Sequence, residues 1–147
     1  MADVFSQLVG NGFTLVVAVA ILGACLFALM WGQGPEKAVA CAYLAAWGVS
    51  LLVYDRDGHQ QPALAALDAV VFLGLGWLAL TSKRAWLLWA TAAQLLVLAT
   101  HGAMAMGLNV SLAAYVSVLG IWSLILAIAL FVGALQYPAG RGKLSWT

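Results

Sequence analysis

The chain has 147 residues, of which 65% are hydrophobic and 7% charged, and its mean hydropathy is +1.03. Six Lys/Arg and five Asp/Glu cannot cover a soluble globule of this size, so lipid is the solvent for most of the surface. A net charge of +1 excludes the strong field that nucleic acid or an acidic partner would need, and leaves the lipid bilayer as the partner that composition implies.

Crossing the hydrocarbon layer takes roughly 20 residues of helix, because lipid offers no partner to an unpaired backbone group. The first apolar run, residues 13–31, follows a Met-Ala-Asp start with no basic stretch. It is too long, and lacks the small-x-small exit, for a cleaved leader, and so reads as a retained span. After Gly32-Gln33-Gly34-Pro35 comes a second run at 37–54, in which Ala38, Ala42, Ala46 and Ser50 recur every four residues. Such a small stripe predicts close packing of one neighbouring helix, with Tyr43 and Trp47 off the stripe and facing lipid or a partner chain. Cys25 and Cys41 sit in these two runs without CxxC spacing and read as small hydrophobes rather than a metal or disulfide pair.

The loop Asp55-Arg56-Asp57-Gly58 leads past His59 to Pro62. It is not a calcium loop, since its glycine comes too early and Ala66 stands where a bidentate Glu is required. A third run, 63–80, carries Asp68, and the turn Thr81-Ser82-Lys83-Arg84 leads to a fourth, 85–106, with Gln94 and His101. Gly107-Leu108-Asn109 separates this from a fifth run at 110–135. The expectation is a single all-α integral membrane domain, a bundle of five transmembrane helices.

Lys and Arg accumulate on the cytoplasmic side of short loops. With five spans, Lys37, Lys83, Arg84, Arg141 and Lys143 share one side and only Arg56 lies on the other. The N-terminus is then outside and the C-terminus cytoplasmic. Trp31, Trp77, Trp86 and Trp89 gather toward the inner face, and Tyr54 and Tyr115 toward the outer edge.

Ionisable groups are costly inside a membrane, which makes Asp68, His101 and Gln94 the candidate intramembrane polar site. Counting outward from the Lys83-Arg84 turn at about 1.5 Å per residue puts Asp68 and His101 level, near the outer edge. Two readings stay open there: a structural hydrogen-bonded pair, or a proton-accepting or ligand-binding site joined by Asp57 and His59 from the outer loop. Gln94, two turns from His101, needs an interhelical hydrogen bond.

Several chemistries lack their residues. A bis-histidine haem needs a second intramembrane His, and a retinal Schiff base needs an intramembrane Lys. Phosphate loops, HExxH, GxSxG and a carboxylate pair within the spans are all missing. No enzyme, cofactor or metal site is predicted.

The string from Leu78 through Ser82-Lys83-Arg84-Ala85-Trp86-Leu87-Leu88-Trp89, with Gln94, Thr100, His101, Trp122 and Ser123 beyond it, resembles a group of small, uncharacterised multi-span membrane proteins of alphaproteobacteria, especially sphingomonads. The resemblance covers about the last two thirds of the chain and implies a bacterial inner membrane. It carries no activity with it.

The function expected from the sequence is a non-catalytic accessory or structural subunit of a larger inner-membrane assembly, such as a bioenergetic one, with membrane-protein partner chains. The alternative is a small homo-oligomeric transporter or channel with a protonatable Asp68/His101 site. The orientation is directly testable: reporter fusions at Thr147 and in the Asp57 loop should report opposite sides of the membrane, the former cytoplasmic. Both on one side would sink the five-span arrangement.

Overall fold

In the computed structural model, which describes residues 2–53, 61–107 and 111–139, the chain is all-helical. Its helices are α1 (Ala2–Trp31), α2 (Gly34–Val53), α3 (Gln61–Ser82), α4 (Ala85–Ala105) and α5 (Leu112–Gln136). Each break follows local chemistry. Glu36, three residues into the α1–α2 corner, reaches back so that its Oε2 accepts the Gln33 N–H at 3.1 Å, one half of a capping box. Lys83, at φ 50, takes the left-handed conformation that ends α3. Gly107, at φ 66, does the same after α4, and the Ser111 hydroxyl caps α5 by accepting the Ala114 N–H at 3.2 Å.

The helices form a ring in chain order. α1 packs on α2, α2 on α3, α3 on α4 and α4 on α5, while α5 closes the ring against α1 and also touches α2. The C-terminal ends of α1 and α5 are tied together: Gly32 and Pro138 form a β-bridge, and the Ala139 N–H donates to the Trp31 carbonyl at 2.6 Å.

Burial is inverted relative to a water-soluble protein. Leu15, Val16, Leu52, Leu80 and Trp89 are exposed, whereas Glu36, Gln94 and His101 are buried. Such a surface suits hydrocarbon, and the interior is where polar groups find partners. Four segments are long and apolar enough to cross a membrane: Gly12–Trp31, Pro62–Ser82, Ala85–Ala105 and Ala114–Gln136. The chain is therefore a helical, multi-pass type of membrane protein. The remaining helix, α2, opens with Glu36 and Lys37 and is apolar for most of its length beyond them.

The structure corrects the packing expected of α2. Ala38 and Ala42 are exposed and only Ala46 of the small stripe is buried, with Ser50 half-buried. The face turned inward carries Glu36, Val39, Ala40, Tyr43 and Ala46, so Tyr43 lies inside the bundle. The reason is the inward pull of Glu36: once its carboxylate must meet partners on α4, the helix is rotated about its axis and the alanines face a groove between α2 and α3. That groove has a volume of about 510 Å³ and also takes in Gly74 and Trp77. Trp86 departs from the aromatic belt as well, being 2% exposed.

The half of the bundle holding the C-termini of α1 and α5 is packed solid, with Ile21, Cys25, Leu87, Leu126 and Leu130 almost wholly buried. Trp86 lies flat on Gly133 there, and a Cβ built on Gly133 would come within 2.6 Å of the indole. Gly133→Ala should therefore lower the melting temperature in detergent, by an overpacking cost of about 1–3 kcal/mol. Gly74→Ala, whose Cβ meets nothing within 4 Å, should leave stability unchanged or raise it slightly. Equal effects of the two would remove the close approach at Gly133 as the cause.

Candidate functional site

Two polar clusters lie at opposite ends of the bundle. The first is built on Asp68 of α3, one and a half turns after Pro62, in a stretch from Pro62 to Leu80 that is otherwise apolar. Its carboxylate faces α4. Oδ1 accepts from Gln94 Nε2 at 2.8 Å, and Oδ2 lies 2.9 Å from His101 Nε2. Gln94 and His101 are seven residues apart, so both project from one face of α4 toward α3. The other ring nitrogen of His101, Nδ1, lies 2.7 Å from the Tyr115 hydroxyl of α5, with the rings edge to face at 5.7 Å. Three helices are joined by one chain of hydrogen bonds.

The structure thus brings together all three intramembrane residues singled out from the sequence. Asp57 and His59 lie outside the described residues. Tyr115, expected at the outer edge, is instead 3% exposed beside His101. The signal that would have found it is positional: Ser111 caps α5, and the first turn after that cap stands level with the last turns of α4 across a short connection.

The order Asp68–His101–Tyr115 sets the proton positions. Facing a carboxylate, which only accepts, Nε2 carries the ring hydrogen and donates it. Nδ1 of a neutral imidazole is then the acceptor of the Tyr115 O–H. A second proton arriving at Nδ1 reverses that bond, with Nδ1–H donating to the Tyr115 oxygen, while the Asp68 bond persists and becomes charge-assisted. Both ring nitrogens of His101 are engaged in hydrogen bonds.

This cluster lines a pocket of about 250 Å³ at the end of the bundle away from the solid core. All five helices contribute: Phe13 from α1, Tyr43 and Trp47 from α2, Asp68 from α3, His101 from α4 and Tyr115 from α5. His101 is buried, while the side chain of Asp68 keeps 28% of its surface accessible. Opposite it, Tyr43 of α2 and Ser123 of α5 also line the pocket.

The chain matches no family model, no curated protein and no solved structure. Among the described residues, no three His, Cys, Asp or Glu side chains gather as a metal-ligand set.

The second cluster was not anticipated from the sequence. Glu36, with no exposed surface, receives Arg84 Nη1 on both oxygens at 2.5 Å and Trp86 Nε1 on Oε1 at 2.9 Å. Arg84 Nη2 donates to Gln33 Oε1 at 2.8 Å, and the guanidinium stacks over the Tyr137 ring at 4.3 Å. The α1–α2 corner, α2, the start of α4 and the residue after α5 each contribute a group, and the packed core lies directly behind them. The sequence did contain a signal: in a five-helix up-and-down order, Glu36 and Arg84 both follow turns on the same face, one of each sign. Read singly, the first looks like a helix-start acid and the second like a loop cation.

Asp68 and His101 should be energetically coupled. Asp68→Asn and His101→Gln should each destabilise the folded bundle, and the double variant should cost less than the sum, because both ionisable groups then leave the interior together. A coupling of about 1 kcal/mol is expected from polar pairs measured between membrane helices. Additive losses in detergent unfolding would show that the hydrogen bond between them contributes nothing.

Proposed function

We propose that the protein is a multi-pass bacterial inner-membrane protein whose five helices all cross the bilayer, N-terminus outside, and hold a protonatable binding site for a small ligand. In this reading it is a transport-type protein and not an enzyme. The observation that carries it is the pocket at the bundle axis, walled by all five helices, with the Asp68–His101–Tyr115 chain in its wall. A polar network serving only to hold helices together has no need of a cavity beside it. Because the site is complete within one chain, a homo-oligomer is not required to build it.

The other end of the bundle argues for a carrier over an open channel. Behind the pocket the core is solid, and beyond it the Glu36–Arg84 cluster closes the end that the basic residues assign to the cytoplasm. The pocket would then face the periplasm. The bacterial inner membrane follows from the resemblance to the alphaproteobacterial group.

A second reading, the accessory subunit of a larger assembly, is favoured by the apolar groove between α2 and α3, where Ala38 and Ala42 leave space for another helix. Purification from the native membrane separates the two, since a subunit should travel stoichiometrically with heterologous chains.

The proton site is tested on the protein in nanodiscs by following the ring nitrogen shifts of His101 through a pH titration. One reversible protonation, with both hydrogen bonds kept and the midpoint displaced by Asp68→Asn, is expected. A ring that holds a single state wherever the protein stays folded would falsify the reading.

A further inference from the structure

Resting on that proposed site, the chemistry of the pocket wall narrows the ligand class, and we infer that the pocket takes a small organic cation, an aryl- or alkyl-ammonium, in competition with a proton. Among the described residues lining it, Asp68 is the one acidic side chain and there is no Lys or Arg. Among the described residues, Arg84 is spent on Glu36 at the opposite end. Neutral His101 and Gln94 donate to the carboxylate but do not cancel its charge. A carboxylate has about four lone-pair sites and these two donors use two of them, while part of its surface stays open to the pocket.

The rest of the wall selects among cations. Phe13, Tyr43, Trp47 and Tyr115 present aromatic rings, which attract an ammonium by their negative faces and gain most where water is scarce. A hard inorganic ion needs several oxygen ligands in place of its water shell, and one carboxylate with a few hydroxyls does not supply them. An anion would meet Asp68 with no compensating charge. The volume of about 250 Å³ suits a single ring or a short branched chain rather than a drug-sized molecule.

Proton competition follows from the same geometry. With a proton on Nδ1, His101 is an imidazolium against Asp68, the pair is neutral and the attraction for an ammonium is lost. When the cation enters against Asp68, that proton is driven off into water through the pocket. Among the described residues, the titratable groups facing His101 are Asp68 from α3 and Tyr115 from α5, with Tyr43 from α2 across the pocket. α1 contributes Phe13, Thr14 and Val17, none of which titrates.

The test is calorimetric titration of the purified protein in nanodiscs with three aryl probes that differ in charge: benzyltrimethylammonium, benzyl alcohol and benzoate. The cation should bind at least about tenfold more tightly than the alcohol, benzoate should not bind, and binding at acid pH should release about one proton per cation. Asp68→Asn should abolish the preference for the cation. Trp47→Leu, which spares the hydrogen-bonded chain, should weaken the cation several-fold more than it weakens benzyl alcohol. Benzyl alcohol binding as tightly as the cation, with His101 still titrating, overturns the cation assignment and leaves the protonatable ligand site standing. No probe bound and a His101 that does not titrate overturns both.

Discussion

A carboxylate enclosed in a bundle whose outer surface is hydrocarbon has no water to fall back on, and this constraint organises the molecule. Glu36 shows it most plainly. With no exposed surface, it gathers the Arg84 guanidinium, the Trp86 indole N–H and the Gln33 backbone N–H, so that the α1–α2 corner, the start of α4 and the end of α5 are bound into one knot. Removing one partner from such a set strands the other charge in a low-dielectric interior, where the loss runs to about 3–5 kcal/mol in soluble proteins. The rotation of α2, the burial of Tyr43 and the exposure of Ala38 and Ala42 all descend from that one carboxylate's demand.

Asp68 obeys the same rule with a different outcome. Its partners are neutral donors rather than a guanidinium, so its charge is hydrogen-bonded without being neutralised. Part of its surface also stays accessible beside a pocket, where Glu36 is sealed. The two acids therefore divide the bundle functionally: one end is closed by a neutralised ion pair above a solid core, the other holds an uncompensated carboxylate against space. An arrangement of that kind stores its electrostatic cost where a proton or a cation can relieve it, which is the physical basis for assigning the site to the Asp68 end.

In the proposed reading, the hydrogen-bonded chain through His101 is the means of switching. Imidazole is symmetrical enough that one nitrogen keeps hold of Asp68 while the other exchanges roles with the Tyr115 hydroxyl. Proton occupancy then alters the charge at the pocket wall with little movement of the helices. Gln94 and the Thr100 hydroxyl, which accepts from Trp122 Nε1 at 3.3 Å, fix α4 between α3 and α5 and hold the histidine in register.

What the sequence determined by itself is what depends on composition and distance along the chain. Apolar runs of about 20 residues separated by Gly, Pro and charged turns made an all-helical membrane protein legible, and a depth count of 1.5 Å per residue from the Lys83-Arg84 turn put Asp68 level with His101 because both belong to one hairpin. What only the tertiary structure decided is rotation about the helix axes and meetings between elements far apart in sequence. Periodicity could not say whether Ala38 and Ala42 or Val39 and Tyr43 face inward, since beyond Glu36 and Lys37 α2 is apolar on nearly every side. Nor could it pair Glu36 with Arg84, 48 residues away, or bring Tyr115 to the second nitrogen of His101. Those contacts follow from closing the ring of five helices, and closure is a property of the whole chain that no window of sequence contains.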